Sequence, residues 1–291
     1  MKIVIVGFDG QLGTDCRSIL GREHQLITPT LAELDLCNEA NTISFITAQQ
    51  PDVVINCAAY TAVDNCEKEE ELCRRINSDG PAFLARACRQ AKSRLIHIST
   101  DYVFDGRKTV PLAYREDDRV NPLSQYGRTK LDGEKAVQAH CHDYAILRTA
   151  WLYSAHGPNF LKTMLRITLA DPTAIRKVVN DQYGSLTWSY TLAEQIEGLL
   201  DSSVQGIIHT TADGHSSWYE AACYFLEKMG VKHRLTPCTT SEYPTPAHRP
   251  ANSILANTVL NDLSLSVFTD WRNDVDKFVE RYGDALFKEL Q

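Results

Sequence analysis

The chain has 291 residues, 43% of them hydrophobic, which is enough to bury a full core in one large domain or two joined ones. A formal net charge of −7 and a pI near 5.7 exclude a broad surface for nucleic acid or anionic membrane and leave room for a local basic pocket that takes a phosphate. Nine cysteines are scattered along the chain with no C-x-x-C pair to hold a metal or a redox disulfide, a pattern that suits free thiols in a reducing cytosol.

The first strand is "KIVIV", an apolar run far too short for a signal h-region or a membrane span, so a cytoplasmic protein is expected. Further apolar runs follow as "HQLIT", "DVVINCAA", "RLIHIST" and "YAILRT". Between them, "LGTDCRSILGR", "EANTISFITAQQ", "CEKEEELCRRINSDGPAFLARACRQA" and "SQYGRTKLDGEKAVQAH" carry apolar residues at three- and four-residue spacing and are predicted helices. This alternation predicts an α/β fold, a doubly wound parallel sheet over residues 1–150. From Trp151 the pieces shorten: a helix around "NFLKTMLRITLA", strands near "KVVN" and "GIIHTT", and helices at "YTLAEQIEGLL", "SWYEAACYFLEKM" and "DWRNDVDKFVERYG". They predict a smaller, discontinuous C-terminal lobe over residues 151–291, with some segments returning to the first sheet and a cleft between the lobes.

Gly7, Gly10 and Gly13 stand directly after the first strand and at the start of the first helix. Glycine there lets the backbone turn tightly, approach a pyrophosphate and pack helix on strand, while free N–H groups and the positive helix end favour the phosphate charge. The spacing is G-x-x-G-x-x-G rather than G-x-G-x-x-G. The acid that reads a ribose 2′-hydroxyl is missing from the end of the second strand in "LITPTLAELDL", which tilts the reading towards NADPH. No arginine stands between Thr28 and Asp35 to hold a 2′-phosphate, so NADH stays open. Asp35 serves either as an acceptor for the adenine amine or as a cap for the helix in "NEANTISF".

In "QYGRTK", Tyr126 and Lys130 are four apart and share one helical face, where the ammonium can favour phenolate and draw a pKa of about 10 downwards. "HISTDYVFDG" brings Ser99, Thr100 and Asp101 to the carboxyl end of a strand, the side on which open α/β sheets bind ligands. A hydroxyl there either holds a substrate carbonyl beside the phenol or caps a loop.

These segments, with "PDVVINCAAYTAVDNCE", "LRTAWLYSAHGPNF", "VVNDQYGS" and "TPAHRPANS", closely resemble the dTDP-4-dehydrorhamnose reductase family of the extended short-chain dehydrogenase/reductases, in order and over almost the whole chain. The resemblance implies a Rossmann-type fold and a catalytic triad of Thr100, Tyr126 and Lys130. It implies that Gly7, Gln11, Leu12, Asp35, Leu36, Ala58, Ala59, Tyr60 and Asn77 line the cofactor, joining Gly10 and Gly13 of the turn and Ser99 at the strand end. Val63, Asp64, Thr100, Asp101, Tyr102, Trp151, Asn159, Phe160 and Arg249 would face the nucleotide sugar.

The implied reaction is NAD(P)H-dependent reduction of the C4 ketone of dTDP-4-dehydro-L-rhamnose to dTDP-L-rhamnose. The alternatives are a reductase or epimerase of another nucleotide sugar, and a non-catalytic subunit like the regulatory subunit of methionine adenosyltransferase. Arg249 suits the substrate diphosphate, with Arg148 and Arg166 read first as surface or inter-lobe ion pairs. Trp151 and Trp218 can stack on a sugar or thymine face or pack the lobes together, and "SSWYE" also reads as a helix start. Leu186 replaces the family's usual proline. Some relatives dimerise through carboxylates around a divalent ion; Asp15 would serve here, but Tyr190 stands where an acid is sought, so a homodimer and a metal need stay open and no metal ligand is assigned.

Overall fold

A computed structural model describes residues 1–290. In chain order the first part comprises β1 (Lys2–Val6), α1 (Gln11–Leu20), β2 (Gln25–Ile27), α2 (Glu39–Gln49), β3 (Val53–Asn56), α3 (Val63–Cys66), α4 (Glu70–Arg74), α5 (Gly80–Ala91), β4 (Arg94–Thr100), α6 (Gln125–His140) and β5 (Tyr144–Thr149). There follow β6 (Leu152–Tyr153), α7 (Phe160–Ala170), β7 (Ile175–Val179), β8 (Tyr183–Gly184), β9 (Thr187–Trp188), α8 (Ser189–Leu200) and β10 (Gly206–His209). The chain ends with β11 (Ser216–Ser217), α9 (Trp218–Lys228), β12 (Arg234–Cys238), α10 (Thr258–Asp262) and α11 (Trp271–Leu290).

Six parallel strands form a doubly wound sheet in the order β10-β5-β4-β3-β1-β2. Its strands are apolar on both faces because helices cover both, as all-parallel sheets require. Ile3 and Ile5 face a layer that includes Ile19 of α1 and Leu192, Ile196 and Leu199 of α8, whereas Val4 and Val54 face Ile46, Leu84 and Cys88. The chain reverses direction across the sheet between β1 and β3, so a crevice opens at their carboxyl ends, where ligands bind in such sheets.

The long helix predicted from "CEKEEELCRRINSDGPAFLARACRQA" is broken into pieces. Between α4 and α5 the backbone winds into one π turn over Arg75–Asp79. Pro81, in the first turn of α5, has no N–H to give the Asn77 carbonyl four residues back, so an unbroken α ladder is impossible there. A Cβ on Gly133 would come within 2.3 Å of that carbonyl, so a glycine lets α6 pack directly on the π turn.

β7 and β12 pair in parallel, and α7, α9 and α11 close on a second core built from Tyr153, Trp188, Phe225, Trp271 and Phe278. The "SSWYE" start signal is realised: Ser217 accepts from the Glu220 amide at 3.1 Å and Glu220 accepts from the Ser217 amide at 2.8 Å. Among the described residues, no helix is long and apolar enough to cross a membrane.

Candidate active site

The glycine turn is built for close approach. Gly7 has φ +74° and a Cβ there would lie 2.7 Å from the Ala58 amide nitrogen, while a Cβ on Gly13 would lie 2.1 Å from the Gly7 carbonyl oxygen. Gly10 caps α1 with no side-chain bond to its first amides, and the first turn holds no acidic residue. Gly10, Gln11 and Leu12 line a cleft of about 450 Å³. A bare helix N-terminus at a strand switch point fits a dinucleotide pyrophosphate.

Across that cleft lie Ala59 after β3, Ser99 and Thr100 at the end of β4 with Asp101 and Tyr102 just beyond it, and Tyr126 and Lys130 on α6. Ser124 caps α6 by accepting from the Gly127 amide at 3.1 Å, and Gly127 lets the helix start pack on the Tyr102 carbonyl, 2.3 Å from where a Cβ would stand. The Thr100 hydroxyl donates to Asp101 Oδ1 at 2.9 Å and accepts from the Tyr102 amide at 3.2 Å. The Tyr102 ring meets the Tyr126 ring edge-on, with centroids 5.6 Å apart.

The electrostatics differ from the spacing argument. Lys130 Nζ donates to the Ile98 carbonyl at 2.6 Å. Burial pushes the Tyr126 phenol well above its ordinary range, and the Thr100 hydroxyl only partly opposes this. Burial also draws Lys130 down to about 8, against the raising effect of Glu134. Desolvation therefore dominates, and Tyr126 is held as a neutral proton donor rather than a phenolate. The Asp101 carboxyl is likewise pushed up to about 6 by burial.

A buried ion pair stiffens α6 from behind. Arg148 of β5 donates to Glu134 through Nε at 2.9 Å and Nη2 at 2.7 Å, and Ser99 Oγ donates to the same carboxylate at 2.5 Å. Arg148 was expected at the surface or between lobes, yet its side chain is 2% exposed because the carboxylate it needs lies one turn beyond Lys130. Arg166 does lie on an exposed face of α7.

One wall of the cleft is aromatic. Trp151 adopts φ +48° and stacks on Trp218 with centroids 3.5 Å apart, and Phe160 meets Trp218 at 4.6 Å. The absence of a side chain at Gly184 makes room for the Trp151 ring, which is 2.4 Å from the position of its Cβ. Asn159 caps α7 and donates to Gln11 Oε1 at 3.3 Å, tying the glycine turn to the second core. Phe160 and Trp218 also border a neighbouring cavity of about 740 Å³ that holds Asp64, Arg176, Lys177 and Arg249. There Arg249 grips Asp64 at 3.0 and 2.9 Å, and its guanidinium holds that carboxyl below the usual range.

Other residues singled out from the sequence lie outside the cleft wall. Asn77 clamps the Tyr60 backbone, accepting from its amide at 2.8 Å and donating to its carbonyl at 3.0 Å, and the Tyr60 hydroxyl donates to Glu69. Leu36 is in the sheet core, Val63 packs near Tyr126, and Ala58 abuts Gly7. Asp35 accepts from the Cys37 amide at 2.8 Å; the cap of α2 is Asn38, which accepts from the Asn41 amide at 3.1 Å. Asp15 is buried among the Ser154 and Ser189 hydroxyls with His156 at 3.7 Å, and Tyr190 lies between Arg22 and Arg281. Cys57, Thr149, Ala150 and Leu152 line the cleft and were missed by motif reading, and Leu186, noted only as a replaced proline, lines it too. Thr149 and Ala150 sit at the carboxyl end of β5, so the rule that singled out Thr100 would have found them.

The RmlD substrate binding domain family matches residues 1–283. The chain belongs to this family. Its likeness to the spore coat polysaccharide biosynthesis protein SpsK of Bacillus subtilis is 35% identity, covering 98% of this chain and 99% of that one. A dTDP-4-dehydrorhamnose reductase structure from Clostridium acetobutylicum superposes with a TM-score of 0.93 at 40% identity, covering 96% of this chain and 99% of that one. The Bacillus anthracis dTDP-4-dehydrorhamnose reductase, solved with NADP, matches with TM-score 0.93 at 33% identity over the same shares. In this RmlD-family chain the glycine turn, the β4 end and the start of α6 all meet at one cleft.

Proposed function

We propose that the protein is an NADPH-dependent oxidoreductase that reduces the C4 ketone of dTDP-4-dehydro-L-rhamnose to dTDP-L-rhamnose. The observation that carries this reading is the convergence of a neutral buried phenol, a strand-end hydroxyl and a buried lysine on one cleft beside an uncapped glycine-rich helix start. The reductases from C. acetobutylicum and B. anthracis support the substrate, and the NADP in the second supports the cofactor. A cytoplasmic location suits an enzyme with nine free thiols.

When bound, reduced nicotinamide supplies the hydride. Tyr126 gives its proton to the ketone oxygen as that oxygen gains charge, which its raised pKa makes possible at neutral pH. Thr100, by turning its hydroxyl from Asp101, holds the same oxygen and fixes its distance from the phenol. Lys130, anchored on the Ile98 carbonyl, would hold the cofactor ribose and lend positive charge to the proton transfer. The Trp151–Trp218 stack supplies an apolar wall against the sugar, and the cavity with Arg249 takes the nucleotide end.

Purified protein should consume NADPH with dTDP-4-dehydro-L-rhamnose and much less with 4-keto sugars on other nucleotides. Absence of consumption together with retention of a partner protein would favour a non-catalytic subunit instead. The pH profile tests Lys130 separately. Its ammonium is lost as pH rises through about 8 while Tyr126 stays protonated, so the alkaline limb belongs to the lysine. Steady-state kcat/KM should fall about tenfold from about pH 7 to about pH 9, and a flat profile across that range removes the lysine from the mechanism.

A further inference from the structure

Cys66 ends α3 and Cys73 lies in α4, with their sulfurs 2.7 Å apart. Both side chains are fully buried, and they share a small cluster with Tyr126. Neither lines the cleft. Of the residues that link them, 67–72, all but the half-buried Glu67 are exposed, so the pair lies one layer beneath the surface.

We propose that Cys66 and Cys73 form a reversible dithiol–disulfide pair, closed by a hydroperoxide, whose oxidation state is felt at Tyr126. Two sulfurs in contact need only a small approach to reach bonding distance, so the closing step asks for little backbone movement. The environment also distinguishes the two roles. Asn77 Nδ2 donates to Cys73 Sγ at 3.4 Å, so negative charge is supported on Cys73, while the Thr129 oxygen lies 3.2 Å away with its hydrogen given to the Tyr126 carbonyl. Contact with Cys66, followed by Thr129 and Asn77, holds the Cys73 thiol below its ordinary range, while contact with Cys73 and burial hold Cys66 above it. Cys73 is thus the attacking sulfur and Cys66 the resolving one.

The Cys73 thiolate attacks one peroxide oxygen, the O–O bond breaks, and the departing oxyanion takes a proton to leave as alcohol or water. Cys66 then gives up its proton and forms the S–S bond, and the oxygen of the Cys73 sulfenic acid leaves as water. Two electrons pass from the sulfur pair to the peroxide, and a dithiol reductant returns them by exchange. Transient disulfides of this kind are the sort a reducing compartment permits.

Tyr126 is coupled to the pair through its own helix. Thr129 Oγ1 donates to the Tyr126 carbonyl at 3.0 Å and touches Cys73, and Asn77 clamps Tyr60 while donating to Cys73. Closing the disulfide removes the anionic sulfur that both groups face and draws Cys66 towards Cys73, shifting the packing under the phenol.

The test uses the whole protein treated with equimolar hydrogen peroxide at neutral pH, then denatured and alkylated. Of the nine cysteines, two should become protected, and peptide mapping should find them as a Cys66–Cys73 crosslink that dithiothreitol reverses. NADPH turnover should fall about tenfold in the crosslinked protein and return on reduction, the scale expected of a small misplacement of a reacting group. Cys66→Ser should show neither change. The crosslink readout is independent of the proposed reductase activity, whereas the turnover readout rests on it; untreated protein with no turnover marks failure of the latter alone. Retention of all nine alkylatable thiols, a crosslink at another pair such as Cys16 and Cys57, or a Cys66–Cys73 crosslink with unchanged turnover overturns the proposal. Mapping of the wild-type protein decides the crosslink even if the serine variant fails to fold.

Discussion

Tyr126→Phe should lower turnover by roughly 100-fold or more while leaving NADPH affinity within about twofold of wild type. The phenol is the group in the cleft held protonated at neutral pH by burial, and Thr100, an aliphatic hydroxyl far weaker as an acid than a phenol, cannot replace it. Phenylalanine keeps the ring packed edge-on against Tyr102 and over Cys66 and Cys73, so a folding loss should not obscure the result. Equilibrium NADPH binding and single-turnover rates measured on the same preparation separate the two effects. A variant that keeps more than about a tenth of wild-type turnover would move the proton-donor role elsewhere.

The sequence carries structure legibly where local chemistry determines the outcome. Five apolar runs became β1 to β5 because buried parallel strands must be apolar on both faces. The glycine turn was legible because Gly7 and Gly13 have no room for a Cβ, and the Tyr126–Lys130 pair because i and i+4 share a helical face. What those groups face was not legible. The Lys130 ammonium is claimed by a carbonyl of β4, 32 positions away, and the balance of desolvation over attraction depends on burial that no spacing reports. Arg148 met Glu134 inside the fold for the same reason, since ion-pair partners are chosen by tertiary packing. The π turn before Pro81 carried a local signal, the missing N–H, which helical periodicity masked. At Asp35 two caps competed within four residues, and Asn38 took the role, leaving Asp35 to close its own turn onto Cys37.

The second large effect is one of stability. Glu134→Ala should cost about 3–5 kcal/mol, because it strands the Arg148 guanidinium in the interior with its bidentate partner gone and leaves Ser99 without its acceptor. That is a large share of the roughly 5–15 kcal/mol by which native proteins are stable. Arg148 has little spare capacity, since its Nη1 is already buried without a partner and its side chain is 2% exposed. Replacing both ends with apolar residues of similar volume, as in Glu134→Leu with Arg148→Met, should recover most of the loss, because the cost lies in the orphaned charge more than in the pair. Urea unfolding midpoints of the three proteins measure this directly. Glu134→Gln adds a functional signature: it keeps the shape but removes the negative charge that holds Lys130 up, so the alkaline limb of kcat/KM should move below about pH 8. If Glu134→Ala unfolds within about 1 kcal/mol of wild type, solvent must reach the β4–α6 seam, and the burial that keeps Tyr126 protonated would be lost with it.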